Sequence, residues 1–160
     1  MRTFASLSLM ALMALLVCGV AVAEQPSPTP DAKTQKVLKQ LMGRWEIEEG
    51  VNQGRELSED DLEGTVVIVD KQYIRTIDRD QKERYKAIYK IDASKDPIQI
   101  NMTSAMKGVP PAQSLGILEL EDDGEEWELC YALPGNPRPK DFESEEGSKV
   151  MLFEMEKEDD

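Results

Sequence analysis

Glu83-Arg84-Tyr85-Lys86-Ala87-Ile88-Tyr89-Lys90-Ile91 alternates in character at nearly every step. Tyr85, Ala87, Tyr89 and Ile91 share one side of an extended chain, while Arg84, Lys86 and Lys90 share the other. Successive side chains of a strand point to opposite faces, so this pattern predicts a strand with one face in a core and one in water. Upstream, Asp78-Arg79-Asp80-Gln81 reads as a turn into this strand from another over 73–77, and Asp70-Lys71 turns the chain from a third over 65–69. Further back, a polar excursion with Gly50, Gly54 and Glu59-Asp60-Asp61 leads from a first strand, in which Trp45 and Ile47 alternate with Arg44, Glu46 and Glu48.

Downstream the pattern recurs. Pro97 opens a strand over 98–102 whose Ile98, Ile100 and Met102 alternate with Gln99 and Asn101. A loop at Gly108-Val109-Pro110-Pro111 precedes a strand over 114–120, and Asp122-Asp123-Gly124 is a hairpin signal. Trp127, Leu129 and Tyr131 then alternate with Glu126, Glu128 and Cys130, and the last strand covers 150–155. Eight strands joined mostly by short turns predict an all-β domain, with an up-and-down antiparallel barrel as the first choice and a sandwich as the second. Closure removes exposed strand edges, which favours the barrel for a chain without a disulfide.

The N-terminal part is of another kind. Arg2 is followed by an almost wholly apolar run over 4–22, and Ala21-Val22-Ala23 supplies the small residues a signal peptidase requires. Residues 1–23 are therefore expected to be a removed signal peptide, with cleavage before Glu24 and a periplasmic or secreted product. The rival reading is a lipoprotein anchored through Cys18, in which Leu15-Leu16-Val17-Cys18 would be the lipidation sequence. Its bulky Val17 argues against that. Insertion in a membrane after signal removal is not expected. Residues 24–31, with Pro26, Pro28 and Pro30, read as an extended linker. Asp31 then offers an N-cap to a helix over 32–42, whose Val37, Leu38, Leu41 and Met42 lie on one face and which Gly43 ends. The barrel domain is expected over 32–156 and an acidic tail over 157–160.

Charge and composition narrow the function. The chain carries 32 acidic against 19 basic residues, a net charge of −13, and loss of Arg2 makes the mature product more negative still. Phosphate backbones and anionic membrane surfaces would repel such a protein, so nucleic acid is not an expected partner. Histidine is absent, which removes the commonest general base and the commonest zinc ligand together. Cys130 is the one cysteine left after signal removal, and it reads as a small buried hydrophobe rather than a reactive thiol. Asp78-x-Asp80 begins like a calcium loop, but Lys82 and Arg84 stand where oxygen ligands are needed. Glu121 to Glu125 reads as a solvated hairpin tip, and the Asn101-Met102-Thr103 sequon falls on a strand. Nothing singles out a catalytic pair, a metal site or a cofactor loop, so a non-enzymatic role is expected.

Leu41-x-Gly43-x-Trp45 after a short helix resembles the Gly-x-Trp opening of lipocalins. Leu115-Gly116-Ile117-Leu118-Glu119-Leu120, Leu129-Cys130-Tyr131, Pro134-Gly135-Asn136-Pro137-Arg138-Pro139 and Phe142 extend the likeness. Together these segments resemble a lipocalin-like domain family abundant in planctomycetes and without an assigned activity. The resemblance implies an exported lipocalin-like β-barrel. It also implies that Trp45 packs at the closed end, where Arg138 is a candidate cation–π partner, and that Gly43, Trp45 and Arg138 are structural.

The candidate site is the barrel interior, lined by Tyr85, Tyr89, Ile100, Met102, Trp127, Leu129, Tyr131 and Phe153 if the apolar stripes face inward. An eight-stranded barrel is either filled by its side chains or holds one small ligand. The first alternative gives an interaction module for an envelope protein or polymer. The second gives a binding protein for a small hydrophobic molecule, and it is the preferred expectation. Strands over 66–69 and 115–120, apolar on both faces, leave their inward side open.

Overall fold

Alternation alone does not distinguish a barrel from a sandwich; strand pairing does, and here the sheet closes on itself. The computed structural model describes residues 30–121 and 124–158. The expected signal peptide, nearly all of the proline-rich linker, Asp122 and Asp123 at the hairpin tip, and the end of the acidic tail lie outside the described residues.

Helix α1 (Ala32–Leu41) begins where Asp31 accepts hydrogen bonds from the backbone of Lys33 at 2.9 Å and Thr34 at 3.0 Å, satisfying two of the free N–H groups of the first turn. These bonds, with one from the Thr34 hydroxyl, hold the Asp31 carboxyl below the usual carboxylate range. Thr34 Oγ1 in turn accepts from the backbone N–H of Ala93 at 3.1 Å, tying the helix to the barrel. Strands β1 (Gly43–Asn52), β2 (Arg55–Glu56), β3 (Val66–Val69), β4 (Tyr73–Ile77), β5 (Glu83–Asp92), β6 (Ile98–Ser104), β7 (Gln113–Leu120), β8 (Glu126–Ala132) and β9 (Val150–Lys157) follow, with the one-turn helix α2 (Glu59–Leu62) between β2 and β3.

All neighbouring strands pair antiparallel in the order β1-β3-β4-β5-β6-β7-β8-β9, and β9 returns to β1. Eight strands thus form a closed barrel. The two-residue β2 pairs only with the end of β1. The expected strands are all present, and β1 runs further than its alternation suggested, because a bulge between Ile47 and Glu49 shifts its register against β9. The polar excursion after β1 is more ordered than a plain loop: Ser58 and Asp61 form a reciprocal capping box on α2.

Gly43, between α1 and β1, has φ of 152°, a region side chains avoid. Trp45, two residues on, is fully buried and donates its indole N–H to the carbonyl of Leu41 at 2.9 Å, closing the C-terminal end of the helix against the barrel. The core around it joins Val37 and Leu41 of α1 to Val69, Leu118, Trp127 and Met155.

Arg138 departs from expectation. It does not stack on Trp45, whose aromatic neighbour is Trp127, edge-on at 5.9 Å. Arg138 donates instead to the carbonyls of Ile100, at 2.9 Å, and Gly116, and to Asn101 Oδ1 at 2.6 Å. Asn101 alternates with the inward Ile100 and Met102, so the guanidinium clamps the 133–149 segment onto the outer wall of β6 and β7. Its physical reason is position: it lies in a loop that folds over that wall, on the far side of the sheet from Trp45. Cys130 lies under the same segment, fully buried, with Sγ 3.5 Å from the Asp141 carbonyl. Burial foremost, with Glu128 adding to it, pushes its thiol up to about 11.

Candidate binding site

The closed barrel divides along its axis into two unlike halves. Toward α1 it is filled. Trp45, Tyr89, Ile100, Met102, Trp127 and Leu129 are all buried in one contiguous cluster. The Tyr89 hydroxyl donates to the Asp70 carbonyl at 2.7 Å, which leaves it no donor to offer a guest. Burial and then the Asp70 charge raise that phenol to about 12. Side chains this closely surrounded interdigitate as an ordinary dry core.

Toward the other end the inward side chains are less completely buried. Tyr85, Tyr131 and Phe153 pack against the core but stay partly exposed. Tyr131 and Phe153 stack at 6.3 Å with their planes 19° apart. Among the described residues, neither the Tyr85 nor the Tyr131 hydroxyl has a hydrogen-bond partner. Burial raises Tyr85 to about 12. Burial, and then the neighbouring Tyr85, carries Tyr131 beyond the usual phenol range. Both phenols are therefore neutral donors at any physiological pH.

The eight residues expected to line one cavity thus come together in one barrel, but in two roles. Tyr89, Ile100, Met102, Trp127 and Leu129 make the core, and Tyr85, Tyr131 and Phe153 face the open end. Register adds residues that alternation left undecided. Directly opposed residues share a face, so Thr76 (opposite Tyr85), Ser104 (opposite Ala87) and Ser114 (opposite Met102) also point inward. Thr76 could have been read from its spacing to Ile74. Ser114 could not, because its strand is apolar on both faces.

Among the described residues, three recesses lie outside the barrel; one, about 320 Å³, separates Lys33, Lys36 and Val37 of α1 from Lys95, Ile98 and Leu118, and the other two are rich in glutamates. The larger, about 720 Å³, runs between β1 and the β2–α2 segment, where β1 has parted from β3 beyond Glu46. Glutamates 46, 48, 49, 56, 59 and 63 line it around Ile47, Leu57 and Leu62. Leu57 and Phe153 converge on the bare backbone of Gly50, where an added Cβ would meet them at 2.9 and 3.1 Å. The smaller, about 350 Å³, follows rows of carboxylates across β7, β8, β9 and β1. Pairing sets Glu119 opposite Glu128, Glu128 opposite Glu154, and Glu154 opposite Glu49. Glu128, raised first by burial and then by Glu154 and Glu119, titrates at about 7.

The other candidate motifs are occupied by the protein itself. Asp78 accepts from the Lys82 backbone at 2.9 Å and from Arg84 at 2.5 Å, and Asp80 pairs with Lys82 at 3.5 Å. Among the described residues no group of three or more acidic or cysteine side chains is arranged to hold a metal ion. No described helix is long and apolar enough to cross a membrane.

Fold and site define a small closed β-barrel with a helix packed at one end and three partly exposed aromatic side chains, Tyr85, Tyr131 and Phe153, away from it. Comparison with family models, curated proteins and solved structures returns no match.

Proposed function

We propose that the chain is an exported binding protein that holds a small, largely apolar molecule in the half of the barrel opposite α1. The carrying observation is the contrast between the halves: one is packed with large, fully buried side chains, while the other presents Tyr85, Tyr131 and Phe153 partly uncovered with two phenol hydroxyls unused. An apolar recess with a few oriented polar groups is the usual chemistry of a small-molecule pocket. The likeness to lipocalins in Gly43-x-Trp45 supports the same reading, as does the export signal over 1–23. Mass spectrometry of an organic extract, from protein purified out of its native host, tests it. A compound in stoichiometric amount is expected, and Phe153→Asp in a still-folded protein should lose it; an empty extract contradicts stable carriage.

A second reading is favoured by the glutamate rows on β7, β8, β9 and β1, which oppose like charges without compensation in the strand pairing. In that reading the domain is a non-catalytic interaction module for a basic envelope protein or polymer. It predicts an empty extract together with a basic partner that is released by salt.

A further inference from the structure

The inward positions of the open half carry hydroxyls and no charge. Thr76 on β4, Tyr85 on β5, Ser104 on β6, Ser114 on β7 and Tyr131 on β8 bring five hydroxyls from five consecutive strands to one face. The positions that adjoin them on β9 and β1 are Met151, Phe153, Gly50 and Asn52, paired in register across the seam. Lysine, arginine, aspartate and glutamate are missing from this set, although charged residues crowd the outside of the same strands.

We infer that the open half selects neutral molecules bearing a hydrogen-bond acceptor such as a carbonyl on a flat apolar frame, and rejects carboxylate-headed amphiphiles. The inference rests on the reading of that half as a binding site. A carboxylate brought inside would lose its water with no cation to meet it, a cost of several kcal/mol for an ion taken from water. The field of the acidic surface, with its groove of six glutamates beside Leu57, also opposes its approach. An organic cation has the opposite preference, since the carboxylates that line the two acidic recesses lie outside the barrel. A neutral carbonyl avoids both penalties. It accepts from Tyr85 or Tyr131, whose hydroxyls have no other partner among the described residues, and its frame lies against the Tyr131–Phe153 pair.

The test uses the full chain and four probes that share a ring system: naphthalene, 2-acetylnaphthalene, 2-naphthoate and 1-(2-naphthyl)ethylammonium, titrated by equilibrium dialysis at pH 7.5. The ketone is expected to bind at least ~10-fold more tightly than the anion or the cation, and Tyr85→Phe with Tyr131→Phe to weaken the ketone roughly 5–10-fold while leaving naphthalene unchanged. Because naphthalene reports an intact pocket, loss of ketone binding alone isolates the hydroxyls. Binding of naphthoate or the ammonium probe as tight as the ketone overturns the selection for neutral guests. A ketone affinity indifferent to the double substitution overturns the role of the phenols. Either result leaves the site itself standing, whereas no binding by any probe overturns the reading of the open half as a site.

Discussion

Two tryptophans share the filled end of the barrel, yet their indole N–H groups fare differently. Trp45 Nε1 donates to Leu41 O, one of the last carbonyls of α1, whereas Trp127 Nε1 is buried without a partner. Phenylalanine at either position keeps an aromatic ring and removes the N–H. At position 45 the change strands a helix-terminal carbonyl, and at 127 it removes a donor that was already unpaired. Leaving one buried polar group unsatisfied costs ~1–3 kcal/mol. Trp45→Phe is therefore expected to lose more stability than Trp127→Phe by about 1–2 kcal/mol in urea unfolding; equal losses would show that the Leu41 bond contributes nothing. The importance of Trp45 was legible from Gly43-x-Trp45. The unequal partners were not, because only the position of the helix end decides which indole reaches a carbonyl.

At the scale of elements, the outer faces of β7, β8, β9 and β1 carry a strain that strand pairing imposes. Opposing like charges on neighbouring strands are destabilising, and Glu128 faces two, Glu119 and Glu154. Burial first, and then Glu154 and Glu119, push its carboxyl up to about 7 in the folded protein against an ordinary 4.5. Below about pH 4.5 it is protonated whether folded or not, and the penalty is absent. As pH rises toward 7 the unfolded chain ionises first, so stability falls, and above about 7 the penalty is complete. Two such pairs, partly screened by water, amount to roughly 0.5–2 kcal/mol. Glu128→Gln should thus stabilise the protein by about that much at pH 8, by progressively less toward pH 4.5, and less again in high salt. Thermal melts of both proteins across pH check this, and a gain independent of pH would contradict it. The alternation of Glu126 and Glu128 with Trp127 and Leu129 placed these carboxylates outside. Which glutamates face one another depends on register, which alternation does not fix. The capped turn α2 escaped for a related reason: four residues are too few for a periodic signal, although Ser58 and Asp61 carry its cap.

For the whole molecule, the eight alternating segments and their short links pointed to a barrel, and closure of β9 onto β1 makes it one. What the pattern could not divide was the interior. Tyr85 and Tyr89 lie on the same face of β5, yet one stands at the open end and the other is locked to Asp70. At one end Val37 and Leu41 of α1 join the core, whereas at the other Leu57 of the β2–α2 segment meets Gly50 beside Phe153. A guest is expected to enter the half that holds Tyr85, Tyr131 and Phe153 and not the filled one. Methionines mark both: Met151 sits inward at the open end, and Met155 lies in the core beside Trp127. The most direct measurement is a methyl NMR titration of the full chain, carrying ¹³C-methyl methionine, with 2-acetylnaphthalene. A saturable shift of Met151 with Met155 unmoved is the predicted result, and a saturable shift confined to Met155, or none at Met151 as the probe binds, would contradict it.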